Sequence, residues 1–121
     1  MNPAMQTALI VDDESLIAMS AADLFQTAGY ETIEACSADE AIRQLEKNTN
    51  ISIVFTDIRM PGSMDGLELA HVVRDRWPPV KILVTSGHHT MRPGDLPAGG
   101  LFIPKPYSSR AVTEAISALS A

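Results

Sequence analysis

The sequence predicts an α/β domain in which helices cover both faces of a five-stranded parallel sheet. Short apolar runs rich in β-branched residues alternate with segments whose apolar side chains recur every three or four residues. This alternation indicates parallel strands joined by right-handed crossovers. The chain has 121 residues, which is enough for one domain, 1–121, with a core of its own.

The bulk composition limits the classes of protein to which the chain can belong. A hydrophobic content of 45% and a charged content of 20% are typical of a globular domain. The net charge of −6 disfavours nucleic acid as a direct partner, because such binding needs a basic surface. The N-terminus lacks the basic region of a signal peptide, and no apolar run approaches the ~20 residues that span a bilayer. Together with the single cysteine, these features predict a cytoplasmic protein without a membrane segment.

The first half of the chain begins with two strands and two helices. Residues 7–11 (TALIV) predict a buried strand, and residues 31–35 (ETIEA) predict a weaker strand near the edge of the sheet. Between them, residues 15–28 carry apolar side chains on one helical face and are followed by a glycine that can end the helix. The pattern SADE at residues 37–40 matches a capping box, which predicts that the second helix begins there.

The second half continues the alternation. Residues 51–56 predict a third strand that is buried on both faces, and residues 67–77 predict a helix that two prolines end. Residues 80–84 and 101–103 predict the fourth and fifth strands. Ser108 is the predicted N-cap of the last helix.

The stretch 87–100, between the fourth and fifth predicted strands, is the least regular part of the chain. Its prolines and glycines leave room for only about one helical turn. We therefore expect the fourth helix of a regular fivefold β-α repeat to be short or degraded. We also expect this stretch to be the most mobile part of the domain.

Polar residues lie at the ends of four predicted strands. The first strand ends in Asp12 and Asp13, the third in Asp57, the fourth in Thr85 and the fifth in Lys105. Because the carboxyl ends of parallel strands lie at one edge of a sheet, these side chains are expected to converge. The arrangement predicts a site that contains three carboxylates, one hydroxyl and one ammonium group.

Three ionised carboxylates repel one another unless a cation compensates them. Oxygen ligands favour Mg²⁺ over softer metals, and Mg²⁺ in proteins keeps part of its shell open for water or phosphate. Lys105 and Thr85 are then available to contact an incoming phosphoryl group, whose charge spreads over its oxygens during transfer. Asp57 is the predicted nucleophile, and its product is an aspartyl phosphate.

These residues resemble the receiver domain of two-component response regulators. The resemblance rests on the Asp12–Asp13 pair, Asp57 in the motif DIRMP, Thr85, and the Lys105–Pro106 dipeptide. Each motif alone is common, but their order and spacing across successive strand ends are specific. The resemblance covers essentially the whole chain and implies the flavodoxin-like strand order 2-1-3-4-5.

The resemblance also implies roles for individual residues on the acidic side of the site. Asp57 matches the phospho-accepting aspartate. Asp13 and Asp57 match metal ligands, and Asp12 acts mainly through metal-bound water. The backbone carbonyl of Arg59 matches the remaining protein ligand of the metal.

On the opposite side of the site, Thr85 and Phe102 match two residues that change position on phosphorylation. Lys105 matches the cation that contacts phosphate, and the Lys105–Pro106 peptide bond matches one that is usually cis. The loop MPGSMDG after Asp57 is one residue longer than the usual MPxxDG. The stretch 87–100 departs further, since receivers usually place a full helix there.

The resemblance implies two kinds of partner. One is a phosphohistidine donor, either a sensor histidine kinase or a histidine phosphotransfer protein, and the other is a downstream protein target. It implies no enzymatic activity beyond self-phosphorylation and autodephosphorylation. We expect a monomer or a weak dimer, because the degraded fourth helix belongs to the usual dimer surface.

Because the chain begins near its first strand and ends with its last helix, we expect a stand-alone receiver. Three alternatives share part of this pattern. A receiver module of a larger hybrid kinase would have identical chemistry. A pseudo-receiver would act as a phosphate-independent binding module, although the complete acidic set argues against it. A phosphohydrolase with an aspartate nucleophile needs a second acid/base, which the DIRM segment does not supply two residues after Asp57.

Overall fold

The computed structural model describes residues 6–87, 91–92 and 94–120. In this part of the chain, five strands and four helices follow one another along the sequence. They are β1 (Thr7–Val11), α1 (Ser15–Thr27), β2 (Glu31–Ala35), α2 (Ala38–Lys47), β3 (Ile51–Asp57), α3 (Gly66–Arg76), β4 (Lys81–Ser86), β5 (Leu101–Pro104) and α4 (Ser109–Ser120).

All five strands pair in parallel in the order β2-β1-β3-β4-β5, which confirms the predicted sheet. The weak second strand lies at an edge, as its low apolar content predicts. The carboxyl ends of β1 and β3 to β5 therefore lie along one edge of the sheet. In this register Asp57 on β3 lies directly beside Thr85 on β4.

The helices cover both faces of the sheet because successive strand residues point to opposite sides. One core cluster lies between the sheet and α2 and α3, and the other lies between the sheet and α1 and α4. The strand residues of the first cluster include Leu9, Val11, Val54, Ile82 and Val84. Those of the second include Ala8, Ile10, Ile53, Phe55 and Leu83.

Side-chain caps begin three of the helices. The Ser37 hydroxyl accepts a hydrogen bond from the Glu40 N–H at 3.2 Å, but the Glu40 carboxylate accepts from Cys36 N–H and not from Ser37. The predicted capping box is therefore only half formed. Ser108 caps α4 as predicted, by accepting a hydrogen bond from the Ala111 N–H.

A complete capping box begins α3. The Asp65 carboxylate accepts from the Glu68 N–H, and the Glu68 carboxylate accepts from the Asp65 N–H, both at 2.9 Å. The sequence interpretation did not identify it, although Asp-x-x-Glu is a capping pattern.

The connector between β4 and β5 contains no helix among its described residues, 87, 91–92 and 94–100. Residues 88–90 and 93 lie outside the described part of the chain. The described connector contacts α3 through two side chains. His71 Nε2 lies 2.8 Å from the carbonyl oxygen of Asp95, and Arg74 Nε donates to the carbonyl of Ala98 at 2.8 Å.

None of the helices in the described ranges combines the length and the apolar character needed to cross a membrane.

Candidate functional site

Three carboxylates meet at the carboxyl edge of the sheet. Asp12 and Asp13 follow β1, and Asp57 ends β3, which lies next to β1. Each side chain offers one carboxylate oxygen, and these oxygens lie within 4.8 Å of one another. Asp12 and Asp57 are buried, whereas Asp13 is exposed. The structure thus brings together the three acidic residues that the sequence predicts as a group.

Backbone contacts hold Asp12 in place. Its N–H donates to the carbonyl of Ala35 on the neighbouring strand, and its Oδ1 accepts from the Glu14 N–H at 2.9 Å. Burial raises the pKa of the Asp12 carboxyl above its usual range, and the charges of Asp57 and Asp13 act in the same direction. The Glu14 N–H and the Lys105 ammonium oppose this rise without cancelling it.

Lys105 supplies the positive charge of the site. Its Nζ donates to Asp57 Oδ2 at 3.2 Å and lies 3.7 Å from Asp12 Oδ2. Burial by itself lowers the pKa of Lys105, but the hydrogen bond to Asp57 and the charges of Asp57 and Asp12 outweigh it, so the pKa is raised. The Lys105 N–H donates to the carbonyl of Ser86, and the Lys105–Pro106 peptide bond is cis, as the resemblance implies.

Thr85 is a buried residue with an unused hydroxyl. It is 2% exposed, and its Oγ1 has no hydrogen-bond partner among the described residues. The carbonyl of Thr85 accepts from the Ile58 N–H at 3.0 Å, which holds β4 against the end of β3. Buried polar atoms normally have a partner, and because this oxygen has no access to solvent, the hydroxyl must turn before it can donate to a group bound beside Asp57.

A cavity of about 460 Å³ opens beside these side chains. Arg59 lines it, so the loop after β3 borders the site, as the predicted metal contact of its carbonyl requires. The cavity is lined by Asp13, Glu14, Ile17, Asp57, Arg59, Ser86, Gly87 and Lys105. The sequence interpretation missed Glu14, Ile17, Ser86 and Gly87. Glu14 follows the Asp12–Asp13 pair, Ser86 and Gly87 follow Thr85, and Ile17 lies in the first turn of α1.

Phe102 lies on β5 beside Val84 and is half-buried. Its side chain packs against the core cluster on the α2 and α3 face of the sheet. It does not line the cavity, so a contribution of Phe102 to phosphorylation must come through movement rather than through direct contact.

Gly66 is a further residue on which the site depends, and the sequence interpretation missed it. A Cβ atom at this position would overlap the carbonyl oxygen of Asp57 and lie 2.8 Å from the Cα of Ile58. The Gly66 N–H donates to the carbonyl of Ile58 at 2.8 Å. The start of α3 therefore lies directly against the backbone that carries Asp57, which only glycine permits.

Comparison with known proteins identifies the family. A family model described as the response regulator receiver domain matches residues 8–117. The chain belongs to this receiver family. The chain is also 35% identical over 106 residues to the sensor kinase CckA of Brucella abortus, a match that covers 84% of the chain and 11% of the kinase. In the first curated relatives, the aligned region is only 11% to 18% of the whole protein.

Solved receiver structures share the fold over nearly the entire chain. A response regulator receiver protein from Sinorhizobium medicae has a TM-score of 0.87 at 28% identity and covers 96% of this chain and 94% of that one. The response regulator TrrA of Thermotoga maritima, solved in complex with Mg²⁺ and BeF, has a TM-score of 0.85 at 28% identity. That comparison covers 95% of this receiver and 99% of TrrA. TrrA has also been solved in complex with the histidine kinase ThkA.

Proposed function

We propose that this receiver accepts a phosphoryl group on Asp57 from a phosphohistidine donor and transmits the change to a protein target. The observation that carries the proposal is the environment of Asp57. Asp57 is 8% exposed and lines the cavity, and its carboxylate lies within hydrogen-bond distance of the Lys105 ammonium group. The chemistry is the same for a stand-alone receiver of residues 1–121 and for a receiver module of a hybrid kinase. The mass of the endogenous protein, compared with 13.0 kDa, distinguishes the two.

The donor set fits a magnesium ion. Asp12, Asp13 and Asp57 provide oxygen ligands within 4.8 Å of one another, and Arg59, whose backbone carbonyl would be the further oxygen ligand, lines the same cavity as Asp13 and Asp57. Burial raises the pKa of Asp12, the charges of Asp57 and Asp13 add to the rise, and the Glu14 N–H and Lys105 do not cancel it, so a bound cation would favour the ionised carboxylate. When bound, the metal neutralises the carboxylates and the oxygens of the entering phosphoryl group.

The residues of the chain have distinct tasks in the transfer. A carboxylate oxygen of Asp57 forms a bond to phosphorus while the nitrogen–phosphorus bond of the phosphohistidine breaks. The bonding electron pair returns to the imidazole nitrogen, and one proton, either already on the other ring nitrogen or taken up from water, leaves the histidine as neutral imidazole. Lys105, which pairs with Asp57 before the transfer, can follow the charge onto the phosphoryl oxygens, and the Thr85 hydroxyl, which does not line the cavity, would turn toward them to donate.

The surface beside the cavity suits a protein donor. Leu16 and Met19 on α1 are 77% and 54% exposed, and the intervening Ile17 lines the cavity. Exposed large apolar side chains next to a reactive group are typical of a docking surface. This supports a phosphohistidine carried on a protein, such as a histidine kinase or a phosphotransfer protein, as the donor.

The proposal is tested by phosphorylation in vitro. With Mg²⁺ and acetyl phosphate, or with a phosphorylated histidine kinase from the same source, the wild-type protein should gain the mass of one phosphoryl group. Asp57→Ala should gain none, because the nucleophile is lost. Asp75→Ala, which removes an exposed acid of α3, should label like the wild type. Labelling of Asp57→Ala to the wild-type level would refute the assignment.

The proposed switch residues need a separate measurement. Beryllofluoride with Mg²⁺ mimics a phosphoryl group and should shift the NMR signals of Thr85 and Phe102. We expect these shifts to disappear in Asp57→Ala. If the wild type shows no shift, a pseudo-receiver that acts without phosphate becomes the better interpretation.

A further inference from the structure

A second cavity adjoins the cavity that contains Asp57. It has a volume of about 500 Å³, is open to the surface, and is lined by Ile17, Gly87, Lys105, Pro106 and Tyr107. Three of these residues, Ile17, Gly87 and Lys105, also line the cavity beside Asp57, so the two spaces share a wall. Asp57 itself lines only the first cavity. A group bound in this adjoining cavity therefore lies next to the site of phosphoryl transfer but away from the nucleophile.

The wall of the adjoining cavity is largely apolar. Pro106 and Tyr107 form the part that the two cavities do not share, and Ile17 adds an aliphatic side chain to the shared part. The Tyr107 ring packs edge-on against Phe55 of β3, with ring centres 5.5 Å apart and ring planes at 69°. Burial raises the pKa of the Tyr107 hydroxyl, and the charges of the acidic site and its lysine act on it as well. The core thus holds an aromatic ring beside the charged site.

The geometry of phosphoryl transfer places the leaving group on the far side of phosphorus from Asp57. The attacking and leaving atoms lie roughly in line through phosphorus, so the nitrogen of a phosphohistidine must point away from the Asp57 oxygen that attacks. The adjoining cavity begins where Asp57 no longer lines the wall, and it is open to a ring carried by another protein. A flat imidazole suits walls formed by Ile17, Pro106 and Tyr107, because aromatic rings pack well against aromatic and aliphatic groups.

We infer that the adjoining cavity holds the imidazole ring of the phosphodonor, and that Ile17 and Tyr107 make the receiver selective for donors with such a ring. The inference rests on the phosphoryl transfer proposed for Asp57. In that step an Asp57 oxygen forms its bond to phosphorus, the bond between phosphorus and the ring nitrogen breaks, and that nitrogen keeps the electron pair. One proton, already on the other ring nitrogen or taken up from water, lets the imidazole leave neutral. Contact between ring and wall adds binding energy that a donor without a ring cannot use.

Three small phosphodonors test the role of the ring. Phosphoimidazole contains it, phosphoramidate has a nitrogen–phosphorus bond without it, and acetyl phosphate has neither. Labelling in the presence of Mg²⁺ is followed by mass, and the second-order rate constant of each variant is divided by that of the wild type, so that the intrinsic reactivity of each donor cancels. In Ile17→Ala the rate constant for phosphoimidazole should fall about fivefold more than those for the other two donors, because part of the apolar wall around the ring is lost.

Further variants separate contact with the ring from general damage to the site. Tyr107→Ala should show the same selective loss, and Tyr107→Phe, which keeps the ring, should restore the wild-type ratio between donors. Val72→Ala, which shortens a half-buried side chain of α3 outside both cavities, should leave that ratio unchanged. The inference is overturned if Ile17→Ala and Tyr107→Ala slow the three donors equally or not at all. If no donor labels the wild type at Asp57, the proposed function is refuted, and this inference with it.

Discussion

At the scale of single residues, the burial of Asp12 opposes the ionisation that metal binding requires. Asp12 must be ionised to act at a metal site, yet its side chain is only 6% exposed. Its folded-state pKa is raised above the ordinary value of 3.8, chiefly by burial, so the folded protein holds this proton more tightly than the unfolded chain does. The free energy of unfolding therefore falls as the pH rises from 3.8 through the raised pKa.

Asp12→Asn should remove this loss. In the presence of EDTA, the variant should be more stable than the wild type at pH 7, and the gain should shrink as the pH approaches 3.8. The amide oxygen can still accept the hydrogen bond from the Glu14 N–H. Urea unfolding across this pH range measures the effect. Asp75→Asn, an exposed control, should show no comparable gain, and a variant less stable than the wild type at pH 7 would contradict the argument.

The site residues could be predicted from sequence because their positions follow from strand ends alone. Asp12, Asp13, Asp57 and Lys105 converge as that rule requires. The rule does not show which oxygen of Asp12 is already occupied by Glu14, or that Thr85 lacks a partner. Those two properties depend on the geometry of the loop after β1 and on the contacts between strands, which cannot be read from the sequence pattern.

At the scale of elements, the junction of β3 and α3 has no room for a side chain at Gly66. Gly66→Ala would press a Cβ atom into the backbone of Asp57 and Ile58, which cannot move without displacing β3. We expect a loss of about 3 kcal/mol in the free energy of unfolding, measured by urea titration. Gly87→Ala is the matched control, since its Cβ would lie 3.7 Å from Lys105 Cβ, an ordinary contact. Equal effects of the two variants would disprove the steric explanation.

The connector between β4 and β5 gains its order from α3. Arg74 donates to the carbonyl of Ala98 at 2.8 Å, to that of Pro78 at 2.6 Å and to that of Val80 at 3.0 Å. One side chain thus joins the connector to the turn that follows α3. The composition of residues 87–100 predicts the missing helix correctly for the described part, but it contains no information about this distant partner.

Arg74→Gln should therefore release the connector. Loss of three charge-assisted hydrogen bonds should lower the free energy of unfolding by about 2 kcal/mol. Hydrogen exchange should accelerate most at the Asp95 and Gly100 amides, which donate within the connector, while exchange in β1 and β3 follows global stability alone. Arg110→Gln breaks an exposed pair on α4 and should change stability by less than about 0.5 kcal/mol. Unaltered exchange in the Arg74 variant would show that Arg74 does not order the connector.

At the scale of the whole molecule, the order of elements is the feature that sequence predicts best. Alternating strands and helices determine a parallel sheet, and the receiver motifs add the order in which the strands lie. Element ends differ by only one or two residues from those predicted, for example at Thr27 and Ser86. A cavity of about 390 Å³ at the amino edge of the sheet was not predicted, because it forms between α2, β3 and the turn after α3, which are distant in sequence.

Magnesium should stabilise the whole domain, because only the folded chain brings Asp12, Asp13 and Asp57 together. A ligand specific for the folded state adds roughly 2.7 kcal/mol at 100 times its Kd, or roughly 10 °C in Tm for a domain of this size. Asp13→Ala should lose this rise with little cost to the fold, since Asp13 is exposed. KCl at matched ionic strength controls for screening of the net charge of −6. Equal rises in both proteins, or an equal rise with KCl, would show that the ions act on overall charge and not at the acidic site.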